Sequence, residues 1–116
     1  MALSDMSPKA TPENLPLTEP VLLILLSLAG EEQHGYSILK DVERMSDGRV
    51  VLSTGTLYGA LRRLLEDEWI DRLDEGDTPR GRQSYRLTPK GRRNLQLDID
   101  RMKQITRLAV VEAGLR

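Results

Sequence analysis

The chain contains no cysteine and a single histidine, His34. The first absence excludes disulfides, thiolate metal sites and a cysteine nucleophile. The second leaves a histidine metal site or a catalytic triad without partners, since both need several converging groups. His34 is therefore expected in a turn, and neither a cofactor nor an enzymatic activity is expected. Net charge is also scarce, only -1 over 116 residues, which argues against indiscriminate binding of polyanions. A membrane-length apolar run is missing too. The most apolar stretch, VLLILLSLA at 21–29, is far shorter than the roughly 20 residues that a span needs. It has no basic flank before it of the kind a signal peptide carries. A buried helix, no membrane partner and a cytoplasmic location are the expectations.

What is present fits one globular domain with an extension. Apolar residues make up 39% and charged residues 30%, enough for a core and a solvated surface, and the length suits a single core rather than two. The first 16 residues hold Pro8, Pro12 and Pro16 and no apolar period, so 1–16 read as a flexible arm. Helix one is expected over 18–29, with Thr18 as N-cap and Pro20 in the first turn. Tyr36, Ile38, Leu39, Val42 and Met45 recur at helical spacing and predict helix two over 35–46. Ser53 caps a third helix on which Leu57, Leu61, Leu64 and Leu65 share one face. Gly55, Gly59, Arg62 and Glu66 take the opposite face, and the glycines cost helix stability that close approach to a groove could offset. The runs WIDRLD and QSYRLT, separated by EGDTPRGR, predict a two-stranded hairpin. Trp69 is expected in the core where helix three meets the first strand, and Glu66, Asp67 and Glu68 at a solvated helix end. Thr88 and Pro89 start a helix that continues to about Gly114, with Gly91 merely weakening its first turn.

The last helix has two apolar stripes. Leu95, Ile99, Met102, Ala109 and Ala113 form one, and Leu97, Leu108, Val111 and Leu115 form another nearly opposite. One small domain covers one stripe, so a second copy of the chain is the economical cover for the other.

The charge is patterned although its sum is small. From Glu66 to Asp77 there are seven acids and one arginine; from Arg80 to Arg93 there are six bases and no acid. Helix, helix, helix, hairpin, helix is the order of a winged helix-turn-helix, mainly α with a small β-hairpin, in which the third helix enters the major groove of double-stranded DNA. Arg80, Arg82 and Arg86 on the hairpin, Lys90 beside it, and Arg62 and Arg63 on helix three suit phosphate contacts. Thr54, Thr56 and Tyr58 lie at the start of the same helix. The division expected is arm 1–16, winged-helix domain 17–88 and dimerisation helix 89–116. An adaptor that uses the winged helix to bind protein instead of DNA is the alternative, kept open by the acidic residues leading into the hairpin.

Three segments carry a resemblance. HGYSILKDV (34–42), LSTGTLYGALRRLLEDEWI (52–70) and RQSYRLTPKGRR (82–93), in this order, closely resemble the PadR family of bacterial transcriptional regulators. The resemblance implies a dimeric winged-helix repressor on a pseudo-palindromic operator, whose long C-terminal helix forms the homodimer with help from helix one. It resembles the smaller subgroup with one helix after the wing. It also implies that Tyr36, Thr56 and Tyr58 lie near the DNA backbone or groove, that Arg80 and Arg82 are basic wing positions, and that a small hydrophobic or aromatic effector can act. The chain departs from the common pattern at Thr54 and Gly59, where proline is frequent, and at Glu68, where glycine is frequent.

Overall fold

The computed structural model describes residues 15–74 and 83–116. The remainder of the expected arm, 1–14, and the hairpin tip with Arg80 and Arg82 lie outside the described residues. In chain order the elements are α1 Glu19–Gly30, β1 Gln33–His34, α2 Gly35–Met45, α3 Thr54–Glu66, β2 Ile70–Asp74, β3 Gln83–Leu87 and α4 Pro89–Ala113.

Three of the four described helices, α1, α3 and α4, begin at a side-chain cap that satisfies an otherwise orphaned N–H. Thr18 Oγ1 accepts from Val21 N at 3.5 Å, Ser53 Oγ from Thr56 N at 3.1 Å and Thr88 Oγ1 from Gly91 N at 2.9 Å. Helix α4 ends at Gly114, whose φ of 69° places it in the left-handed region that glycine adopts without penalty.

Leucines on α1 and α3 meet α2 and the sheet in one core. Ile24, Leu25, Ile38, Val42, Leu57, Leu61 and Ile70 are essentially inaccessible, and Leu28, Trp69, Tyr85 and Leu95 are buried beside them. Burying each of the larger side chains is worth about 1.5–3 kcal/mol, an upper figure because the unfolded chain already hides part of its surface. Leu15 and Leu17 also pack against this core. Leu17 N donates to the carboxylate of Asp98 at 3.3 Å; Asp98 is wholly buried on α4 and pairs with Arg101 at 2.7 Å. A buried carboxylate needs such partners.

The sheet has three strands where the sequence predicted two. β2 and β3 pair antiparallel as expected, from Ile70 opposite Leu87 to Asp74 opposite Gln83. β1 adds to the other side of β3, with Gln33 opposite Tyr85 and His34 opposite Ser84, giving the order β1-β3-β2. A two-residue strand has no periodicity to read. His34, expected in a turn, is thus in a strand and also precedes the first turn of α2.

Gly91 does more than weaken a turn. A Cβ at this position would overlap the Trp69 carbonyl, so glycine is what lets α4 start directly on the beginning of β2. Two hydrogen bonds hold the same junction: Thr88 N donates to Trp69 O at 3.0 Å, and Thr88 Oγ1 to Glu68 O at 2.7 Å. Arg92 ties α4 to α1 as well, since its guanidinium donates to Ala29 O at 3.2 Å near the end of α1.

Beyond Met102 the last helix runs past the body of the chain. Leu95 is buried and Ile99 partly so, whereas Leu97, Leu108, Val111 and Leu115 are 44%, 48%, 69% and 60% exposed. Ile105, which continues the inward stripe, is half exposed as well.

Candidate nucleic-acid interface

The face of α3 opposite its buried leucines carries Gly55, Gly59, Arg62, Arg63 and Glu66, and Thr54 and Tyr58 stand to the side of it near the helix start, all exposed. A 3.6-residue period generates this face directly: burial at 57, 61 and 64 leaves 55, 59, 62 and 66 pointing away. Its centre line is bare for two turns, because a Cβ on Gly55 or Gly59 would meet nothing within 4 Å. Arg62 and Arg63 flank that line, and neither has an acidic partner among the described residues. Thr56 is exposed, but its hydroxyl already accepts from Ser53 Oγ at 3.0 Å, so part of its bonding capacity serves the cap.

Tyr58 packs on Gly35, the residue before Tyr36. Tyr58 is 45% exposed and its hydroxyl lies against the α carbon of Gly35, the first residue of α2; Tyr36, the next residue, is 68% exposed. Lys40 Nζ stands 5.6 Å from the centre of the Tyr36 ring, within cation–π range. Beneath them Tyr85 is buried. Its phenol is held above the ordinary range, first by burial and then by the neighbouring Tyr58, with Arg72 acting in the opposite sense.

Behind α2 a polar node joins three elements. Asp41 accepts from Ser27 Oγ at 2.9 Å, from Gln33 Nε2 at 3.1 Å and from Arg44 at 3.0 Å. Burial pushes the Asp41 carboxyl up, but the hydrogen bonds from Arg44 and Ser27 and the Arg44 charge outweigh it, and the group sits below the usual carboxylate range.

The remaining basic candidates stand apart. Lys90 is exposed in the first turn of α4, at the base of the hairpin. Gln83–Leu87 separates that base from the tip, about 13 Å at strand rise. Arg86 faces Asp71 across the strands at 3.7 Å, with both side chains about half exposed, so its charge is partly balanced within the chain. The sequence reading missed Ile105 on α4 and the Gly35–Tyr58 contact. The first was legible from the period of the inward stripe; the second pairs positions 23 apart and leaves no local signal.

Among the described residues, no group of three His, Asp or Glu side chains could hold a metal ion, and no helix is long and apolar enough to cross a membrane.

Residues 24–97 match the profile of the transcriptional regulator PadR-like family. The transcriptional regulator YqjI of Escherichia coli is 31% identical over 85 residues, which are 72% of this chain and 39% of that protein. The chain spans about a quarter to two fifths of the length of the curated relatives it matches. A transcriptional regulator from Clostridium thermocellum superposes with a TM-score of 0.69 at 25% identity, over 84% of this chain and 90% of that one. Bacillus subtilis PadR, solved in complex with operator DNA, superposes with a TM-score of 0.59 over 66% of this chain and 44% of that one. At 22% identity, that last likeness concerns the fold.

Proposed function

Because the chain belongs to the PadR-like family of transcriptional regulators, we propose that it is a sequence-specific DNA-binding regulator, a ligand-responsive repressor acting as a homodimer. The observation that carries this reading is the exposed face of α3, with a bare centre line flanked by Arg62 and Arg63 and with Thr54 and Tyr58 exposed beside it, on a helix supported from behind by a leucine core. A helix of this kind fits the major groove, where side chains near its start reach base edges. Tyr36 and Lys40 on α2, Lys90 and the hairpin arginines supply backbone contacts.

The apolar side of α4 supports the homodimer. Leu97, Leu108 and Val111 lie on one side of a helix that extends beyond its own core, Leu115 expected on the same stripe follows the Gly114 cap past the helix end, and a second copy is the cover that the symmetry of most oligomers provides. Two copies of α3 would then read half-sites separated by roughly one helical turn, on the order of 10 base pairs.

An electrophoretic shift titration with the DNA upstream of the protein's own gene tests the reading. Binding at submicromolar protein, resisting excess unrelated DNA and weakening with salt, is the expected result. Arg62→Ala should reduce the salt slope by roughly one unit. Equal, weak binding to all DNA, or none, rejects the DNA-reading role and leaves the protein-interaction adaptor.

A further inference from the structure

Of the three acids on α4, Asp98, Asp100 and Glu112, only Asp98 is buried, and it is wholly so. Its two oxygens are divided between two partners. Oδ1 accepts from Arg101 Nε at 2.7 Å on the same helix, and Oδ2 accepts from Leu17 N at 3.3 Å, 81 positions away in the chain. Leu17 is itself anchored: its side chain and that of Leu15 pack on the core, and the next residue, Thr18, caps α1. A buried ion pair contributes little net stability, since apolar side chains of similar size fill such a site about as well. What the Leu17 bond contributes is direction. The apolar contacts of Leu95 and Ile99 tolerate a small slide or turn of the helix, whereas a hydrogen bond weakens steeply once donor and acceptor leave line.

The bond also has a mechanical position. Helix α4 is seated at its start, where Gly91 lies against the Trp69 carbonyl and Thr88 is bonded to Glu68 and Trp69. Asp98 comes about 10 Å further along the axis. Two supports define a line, where one defines only a pivot. Displacing α4 by about 1 Å at Asp98 would carry Val111, about 30 Å from Gly91, by about 3 Å.

We propose that Asp98 is a positioning residue: by tying α4 to the segment before α1, it fixes the direction in which α4 leaves its domain. In the homodimer this direction sets the separation of the two α3 helices, and so the half-site spacing that the protein accepts. The role rests on the homodimeric DNA-binding reading above.

The chain has no cysteine, so Glu43→Cys, at an exposed position of α2, takes one spin label per copy. Double electron-electron resonance on the full chain then measures the distance between the two winged-helix domains without DNA. One narrow distance is expected. Asp98→Leu, which keeps the site filled and removes both bonds, should shift or split it by about 5 Å or more. Asp98→Asn still offers an acceptor to Leu17 N and should keep the native distance. Leu17→Pro deletes the N–H without touching α4; it should reproduce Asp98→Leu, and the double variant should add nothing further. It carries the test should Asp98→Leu fail to fold. An unchanged distance in the folded variants overturns the proposal. DNA selected from a random pool by the wild-type chain supplies the second measurement. Inserting one base pair between the half-sites should weaken the wild-type chain about tenfold and Asp98→Leu less than about threefold, while a base change within a half-site costs both the same factor. Equal losses on insertion overturn the link to spacing. A dimer that selects no DNA removes the regulator reading and leaves the distances to decide the role of Asp98. A chain that sediments as a monomer overturns the proposal together with the dimer.

Discussion

The hydroxyl of Tyr58 on α3 rests on the α carbon of Gly35, so that a single methyl group at position 35 would sit 2.9 Å from Cζ of the ring and closer still to its oxygen. This contact fixes how the starts of α2 and α3 approach each other.

Gly35→Ala should therefore cost about 1–3 kcal/mol, the usual range for overpacking at a tight contact. Tyr58→Ala should relieve most of that penalty. Urea denaturation of the single and double variants measures the coupling, and strictly additive effects would show that the contact does not set the packing.

The glycines of α3 and α4 should respond in opposite ways. Gly59→Ala places a methyl group in open space on a helix and should raise stability by roughly 0.5–1 kcal/mol. Gly91→Ala drives a methyl group into the Trp69 carbonyl and should cost more than 2 kcal/mol, since a backbone atom cannot rotate away as a side chain does. Thermal melts of the two variants would shift in opposite directions.

Glu68 has a φ of 64°, a conformation that disfavours side chains with a Cβ. Glu68→Gly relieves this strain but loosens the unfolded chain, and the balance should favour the variant by about 0.5–1 kcal/mol. A higher urea midpoint with an unchanged slope is the expected signature.

Asp41 makes acid stability testable. Its folded-state pKa lies below the ordinary 3.8, so the unfolded chain takes up the proton first as pH falls. The stabilisation from Asp41 is complete above about pH 5 and disappears as pH drops through the folded value. Denaturation midpoints measured from about pH 6 to 3 should decline, and Asp41→Asn should start lower and show a shallower decline.

Leu108→Lys should give a folded monomer in sedimentation at micromolar concentration if the outer side of α4 is the interface. Leu95→Lys, which buries a charge in the core, should unfold the chain instead. A folded dimer from Leu108→Lys would move the interface elsewhere.

The helices were legible because each is written locally. Thr18, Ser53 and Thr88 mark three starts with a cap, and burial at Leu57, Leu61 and Leu64 follows the 3.6-residue period. The outer side of α4 was legible for the same reason. What the sequence concealed depends on residues far apart in the chain. Gln33 and His34 become a strand only because β3 offers a free edge. Gly91 matters only because Trp69 lies above it, and Asp98, which reads as one more polar residue on an exposed helix, is buried against Leu17. Of the proposed DNA contacts, those on α3 followed from the wheel. The seating of Tyr58 on Gly35 needed the fold.

Two residues of β1 also govern how the molecule can deform. Because Gln33 and His34 are registered on β3 and run straight into α2, the hairpin and α2 are tied into one plate. A tilt of the hairpin would tear two backbone pairs or carry Tyr36 with it. Fitting two half-sites whose separation differs by a base pair would therefore be the task of α4 alone, through the bend or crossing of the helices that extend beyond Met102. In such a pair the part that sets the spacing and the α3 face that reads the bases would be separate, and variants of one should leave the preferences of the other unaltered.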